Sequence, residues 1–151
     1  MFNTVIGWIG AVSMLLGCTL ALTLGGRQER VAATAYLLAW LFSTFVRFTL
    51  AGTVLESGLV LALDVTLLTI FAALVWKAPH NWLVWATAFQ LLVATLQFLY
   101  LIEFAPPISA YFTIVNVSSL GIIVSMCVGT VAAWQERSVF ASARDDLGRY
   151  S

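Results

Sequence analysis

Five long apolar runs, separated by short polar breaks, dominate this sequence. A helix needs about 20 mostly apolar residues to cross a hydrocarbon layer of about 30 Å, because each residue adds about 1.5 Å. The pattern predicts an all-α, polytopic integral membrane protein, in which residues 1–134 form a bundle of five transmembrane helices. The predicted spans are residues 4–24, 31–53, 59–76, 82–102 and 108–134.

The composition excludes a water-soluble domain. Hydrophobic residues make up 62% of the chain and charged residues 9%, whereas soluble domains are roughly half apolar and about a quarter charged. The seven basic and seven acidic residues cancel, so no overall basic charge points to nucleic acid. Membrane lipid is therefore the expected solvent and partner.

The positions of the cations predict the orientation. The loops after the first and third runs and the polar tail hold six of the seven cations, and the other two loops hold Glu56 and Glu103. By the positive-inside rule, the N-terminus is outside and the C-terminus is cytoplasmic. The excess of arginine over lysine favours a bacterial inner membrane. The six cations are Arg27, Arg30, Lys77, Arg137, Arg144 and Arg149.

Residues 135–151 are predicted to form a polar cytoplasmic tail. Within it, residues 142–145 match the serine-to-acid spacing of a capping box, in which two side chains satisfy the free N–H groups of a first helical turn. We expect a short separate helix to begin there.

Two ionisable residues fall inside the predicted spans, and such residues are rare in lipid and mark candidate sites. Arg47 and Asp64 lie at similar predicted depths on consecutive helices. Gln97 and Asn116 lie at nearly the same level on the fourth and fifth helices, and Gln90 extends the polar line toward the membrane centre. The sequence therefore predicts an intramembrane polar layer in the outer half of the bundle.

Two interpretations of the polar layer remain open. In the first, Arg47 and Asp64 form an ion pair and the amides satisfy the remaining donors and acceptors, which fixes the helix register. In the second, the layer lines a cavity open to the outer side that binds a small solute or lipid head group, or relays a proton through Asp64.

Small residues on the first and fifth helices predict close helix contacts, because they let backbones approach each other in lipid. One stripe is enough to close a small bundle, so the other could join subunits of a homo-oligomer or a larger membrane complex. The first stripe is Gly7, Gly10 and Gly17, and the second is Gly121, Ser125 and Gly129.

The sequence predicts no enzymatic chemistry. The single histidine, His80, falls in a loop, and no cluster of acids, cysteines and histidine has metal-ligand spacing. No phosphate-binding loop or nucleophile motif is present, so we expect no metal and no cofactor other than bound lipid. The sequence favours a non-enzymatic accessory or assembling component, and the alternative is a small-ligand-binding, lipid-binding or transport protein.

Overall fold

Five α-helices joined by short turns form the chain. The computed structural model describes residues 5–77, 80–102, 104 and 107–149. The predicted all-α class is confirmed. The helices are α1 (Val5–Leu24), α2 (Arg27–Thr49), α3 (Val54–Lys77), α4 (Asn81–Leu101) and α5 (Ile108–Arg149).

Four segments among the described residues are long and apolar enough to cross a membrane: Arg27–Thr49, Leu55–Lys77, Asn81–Leu101 and Ser109–Val139. The first helix adds the shorter apolar segment Gly10–Leu24. Large hydrophobic side chains also cover the outside of the bundle, and Phe48 is 88% and Trp76 91% exposed. Such a surface needs lipid around it, which indicates a membrane protein.

The helices form a ring. Each helix packs against the next one in the chain, and α5 returns to pack against α1. Because the turns are short, neighbouring helices run antiparallel, and α1 and α5 run in the same direction. We call the two ends of the bundle the α1–α2 end and the α2–α3 end, after the turns they carry.

The turn between α2 and α3 is earlier in the chain than the sequence analysis placed it. The helix α3 begins at Val54 because the Thr53 side chain caps its first turn. The Glu56 N–H donates to Thr53 Oγ1 at 3.2 Å, and Glu56 Oε2 accepts from the Gly52 N–H at 2.9 Å. Gly52 has φ +80°, which glycine adopts without strain. The predicted break after Glu56 therefore lies inside α3.

Two arginines cap the last turn of α1, whose final carbonyls have no partners within the helix. Arg30 Nε donates to the Gly25 carbonyl at 3.1 Å, and Arg137 Nη2 donates to the Leu24 carbonyl. The first helix is thus tied to both α2 and α5 at the α1–α2 end.

The fifth helix does not stop at the predicted tail. It runs for 42 residues to Arg149, a length of about 63 Å, and residues 142–145 lie within it rather than starting a new helix. No proline or glycine interrupts residues 130–147, so nothing in the local sequence breaks the backbone hydrogen bonding. Residues 135–149 of the predicted polar tail are therefore part of α5.

Three of the small residues contact a neighbouring helix inside the bundle. A Cβ on Gly17 would lie 2.7 Å from Ile123 of α5, a Cβ on Gly121 2.7 Å from the Phe89 ring of α4, and a Cβ on Gly129 2.6 Å from the Trp82 ring of α4. Gly17 therefore serves the α1–α5 contact, and Gly121 and Gly129 serve the α4–α5 contact.

The three remaining stripe residues have different surroundings. Ser125 is buried and donates to the carbonyl of Gly121 in its own helix at 2.8 Å. Gly10 faces open space, since a Cβ there would meet no atom within 4 Å. Gly7 lies in α1, and its packing lies outside what is described. Neither stripe is left over as a whole for a second subunit.

The α1–α2 half of the bundle has a packed core. Fully buried side chains from all five helices meet there, among them Ala21, Ala33, Phe71, Leu83 and Met126. The other half of the bundle is packed less completely and contains the candidate site.

Candidate functional site: a polar cavity inside the helix ring

A cavity of about 260 Å³ lies inside the ring, and all five helices contribute to its wall. Every residue of the predicted polar layer lies on the wall of this cavity. These residues are Arg47 from α2, Asp64 from α3, Gln90 and Gln97 from α4, and Asn116 from α5. Sequence reasoning therefore found groups that the fold brings together around one space.

The polar groups do not form a single level. Arg47 is the third residue from the end of α2, whereas Asp64 is the eleventh residue of α3. At about 1.5 Å per residue, their backbones lie about 3 Å and about 15 Å from the α2–α3 end. The expected equal depth depended on a turn at residues 54–58, and the earlier turn moves the two residues apart along the bundle.

The deeper level is centred on Asp64 and Gln90. Gln90 Nε2 donates to Asp64 Oδ1 at 3.1 Å and lies 3.3 Å from the Asp64 backbone carbonyl. The Gln90 side chain is 1% exposed, so packing fixes its position. The carboxylate of α3 is thereby held by an uncharged amide of α4.

The level nearer the α2–α3 end joins three helices. The Tyr111 hydroxyl of α5 donates to Gln97 Oε1 of α4, and the Arg47 side chain of α2 is in polar contact with Tyr111. Both Tyr111 and Gln97 are buried. The guanidinium group, like the carboxylate, has an uncharged partner.

Arg47 and Asp64 are not in ion-pair contact, because no nitrogen of Arg47 lies within 4.0 Å of an oxygen of Asp64 in the described residues. The two side chains are still near enough for Arg47 to act electrostatically on Asp64. The ion-pair interpretation of the layer thus differs from the hydrogen bonding observed. Both charges instead lie on the wall of one cavity.

Sequence reasoning missed two tyrosines. Tyr111 was not among the predicted polar residues, yet its hydroxyl donates to Gln97 of α4. Tyr36 lies on the cavity wall and is in polar contact with Ser119. The signal available in the sequence was chemical, because a buried phenol needs a hydrogen-bond partner.

The remaining wall combines free polar groups with an apolar floor. Asn116 is exposed, and its side chain makes no hydrogen bond with any other described residue. The floor toward the packed core is formed by Met14, Leu67 and Ile122. The cavity is therefore amphipathic, with charged, amide and apolar side chains on one wall.

The groups on the wall are suited to binding. A carboxylate, a guanidinium, amides and hydroxyls recognise a ligand by charge and hydrogen bonds. Within residues 5–77, 80–102, 104 and 107–149, no three acids, cysteines or histidines form a group that could hold a metal ion. His80 precedes α4 at the opposite end of the bundle.

No protein family, curated protein or solved structure was found to match the chain. The function is therefore inferred from the geometry of the cavity.

Proposed function

We propose that this chain is a non-enzymatic integral membrane protein that binds a small molecule inside its helix ring. The supporting observation is the cavity of about 260 Å³ with all five predicted polar residues on its wall. A binding site of this kind serves either a ligand-binding protein or a transporter. The proposal selects the ligand-binding alternative over an accessory or assembling role.

A cavity of this size is not expected to stay empty. Its wall carries charged and amide groups, and polar walls hold water or ligand. Arg47 and Asp64 are half-buried. If they served packing alone, apolar residues could replace them at little cost, since charges inside a fold rarely add stability.

The competing proposal is an assembling component, a homo-oligomer or a subunit of a larger complex. It was based on a small-residue stripe free to join subunits. Gly17, Gly121 and Gly129 instead contact neighbouring helices of the same chain. Within the described residues, the observations favour ligand binding over assembly.

The proposed topology has five crossings, with the N-terminus outside and the C-terminus in the cytoplasm of a bacterial inner membrane. Support comes from the 20 residues of α1, which extend about 30 Å, and from the cations Arg27, Arg30, Lys77 and Arg137 at one end of the ring. In this orientation, the cavity lies in the outer half of the membrane.

Filling the cavity tests the proposal. Gly10 is on the cavity wall and Gly58 is not, and a Cβ at either position meets no atom within 4 Å. Gly10→Leu therefore occupies ligand space, and Gly58→Leu is a matched control on α3. Each full-length protein is purified in mild detergent, and its bound small molecules and lipids are identified by native mass spectrometry.

We expect a bound compound with the wild type and Gly58→Leu, and its loss from Gly10→Leu. Equal retention by all three proteins, or no bound compound in any of them, would contradict the proposal.

A further inference from the structure

Within the described residues, the two charges on the cavity wall have no opposite charge at ion-pair distance. In the described part of the chain, Gln90 and Tyr111 are the side-chain partners of Asp64 and Arg47 respectively. Both partners are uncharged, so they orient the carboxylate and the guanidinium without neutralising them. A charge inside a membrane protein is costly unless an opposite charge compensates it.

The charges are also arranged in order along the bundle. The Arg47 backbone is near the α2–α3 end, and the Asp64 backbone lies about 12 Å deeper. The long arginine side chain shortens that separation, since Arg47 acts electrostatically on Asp64. A ligand thus meets a cationic group nearer the end of the bundle and an anionic group deeper in the same cavity.

The charges on the wall select among ligand classes. A neutral ligand would leave Arg47 and Asp64 with only their longer-range attraction for each other, and a simple cation or a simple anion would pair directly with only one of them. A molecule with an ammonium group at one end and a carboxylate or phosphate at the other compensates both. The free amide of Asn116 on the wall can hydrogen-bond to either group.

We propose that the cavity binds a zwitterion, with its ammonium group at Asp64 and its anionic group at Arg47. This inference rests on the ligand-binding function proposed above. Two kinds of compound have this pair of charges. One is a free amino acid with separated charges, and the other is the phosphoethanolamine head group of a lipid.

Binding to charge-matched probes tests the proposal on the full-length protein in an uncharged detergent. The soluble probes are 4-aminobutanoate and 6-aminohexanoate, with butylammonium and butanoate as single-charge controls, and the measurement is titration calorimetry. The lipid probes are phosphatidylethanolamine and phosphatidylglycerol, added to delipidated protein and scored by native mass spectrometry.

We expect at least one zwitterionic probe to bind at least tenfold more tightly than its single-charge controls. A preference for an amino acid identifies a free solute, and a preference for phosphatidylethanolamine over phosphatidylglycerol identifies a lipid head group. Equal binding of single-charge and zwitterionic probes, or no zwitterion preference in either arm, would overturn the proposal.

Variants that remove one charge should change which probe binds most tightly, and a loss of folding would not produce such a change. Asp64→Asn should shift the preference toward butanoate, and Arg47→Gln should shift it toward butylammonium. If either variant does not fold, the wild-type probe series still decides. A neutral compound that Gly10→Leu displaces would uphold the binding function and exclude the zwitterion, whereas an absence of any ligand would remove both.

Discussion

The side-chain amide of Gln90 donates to Asp64 Oδ1 at 3.1 Å, so the carboxylate of α3 is held by α4 and not by the arginine of α2. This contact connects two neighbouring helices inside the bundle. A hydrogen bond to a charged group contributes about 1.5–3 kcal/mol.

Gln90→Leu should destabilise the fold by about 1–3 kcal/mol, because it leaves the Asp64 carboxylate without its buried donor. Thr87→Val is the matched control on α4, since Thr87 Oγ1 donates only to Leu83 in its own helix at 2.7 Å. The measurement is reversible unfolding in mixed detergent. A Gln90→Leu protein as stable as Thr87→Val would show that the contact contributes little.

A double-mutant cycle can separate the two candidate partners of Asp64. We expect a coupling free energy above about 1 kcal/mol between Asp64→Leu and Gln90→Leu, and a smaller one between Asp64→Leu and Arg47→Leu, because coupling is strongest for residues in contact. The reverse order would restore the ion pair as the main interaction of the layer.

Alanine substitutions at two glycines should have opposite effects. A Cβ on Gly129 would lie 2.6 Å from the Trp82 ring, and that ring is buried. Gly129→Ala should therefore cost about 1–3 kcal/mol by overpacking. Gly10→Ala meets open space and should gain about 0.5–1 kcal/mol from helix propensity. Thermal unfolding in detergent measures both, and equal effects would contradict the assigned packing.

Cysteine labelling can test the proposed topology. Ala51 is exposed in the α2–α3 turn and Glu136 is exposed on α5 beyond Trp134. An impermeant maleimide applied to intact cells should label Ala51→Cys and not Glu136→Cys, and permeabilised cells should show both labelled. Wild type, whose Cys18 is buried and Cys127 half-buried, controls for background. Labelling of Glu136→Cys in intact cells would invert the orientation.

The site residues could be predicted because each places a charged or amide side chain in an apolar segment, where burying such a group costs free energy. Arg47, Asp64, Gln90, Gln97 and Asn116 all line the cavity. Their relative depth was not predicted correctly, although the sequence contained the signal. Thr53 and Glu56 have the spacing of a capping box, but residues 54–58 were interpreted as a loop instead.

Composition and local periodicity were enough to predict the helical class, the apolar surface that needs lipid, and the identity of the polar residues. The contact partners of those residues could be read only from the packed helices. Gln90 rather than Arg47 holds Asp64, and Gly17, Gly121 and Gly129 face neighbouring helices while Gly10 faces the cavity. Such choices depend on how each helix is rotated and placed within the ring, and these are set by contacts between residues distant in the chain.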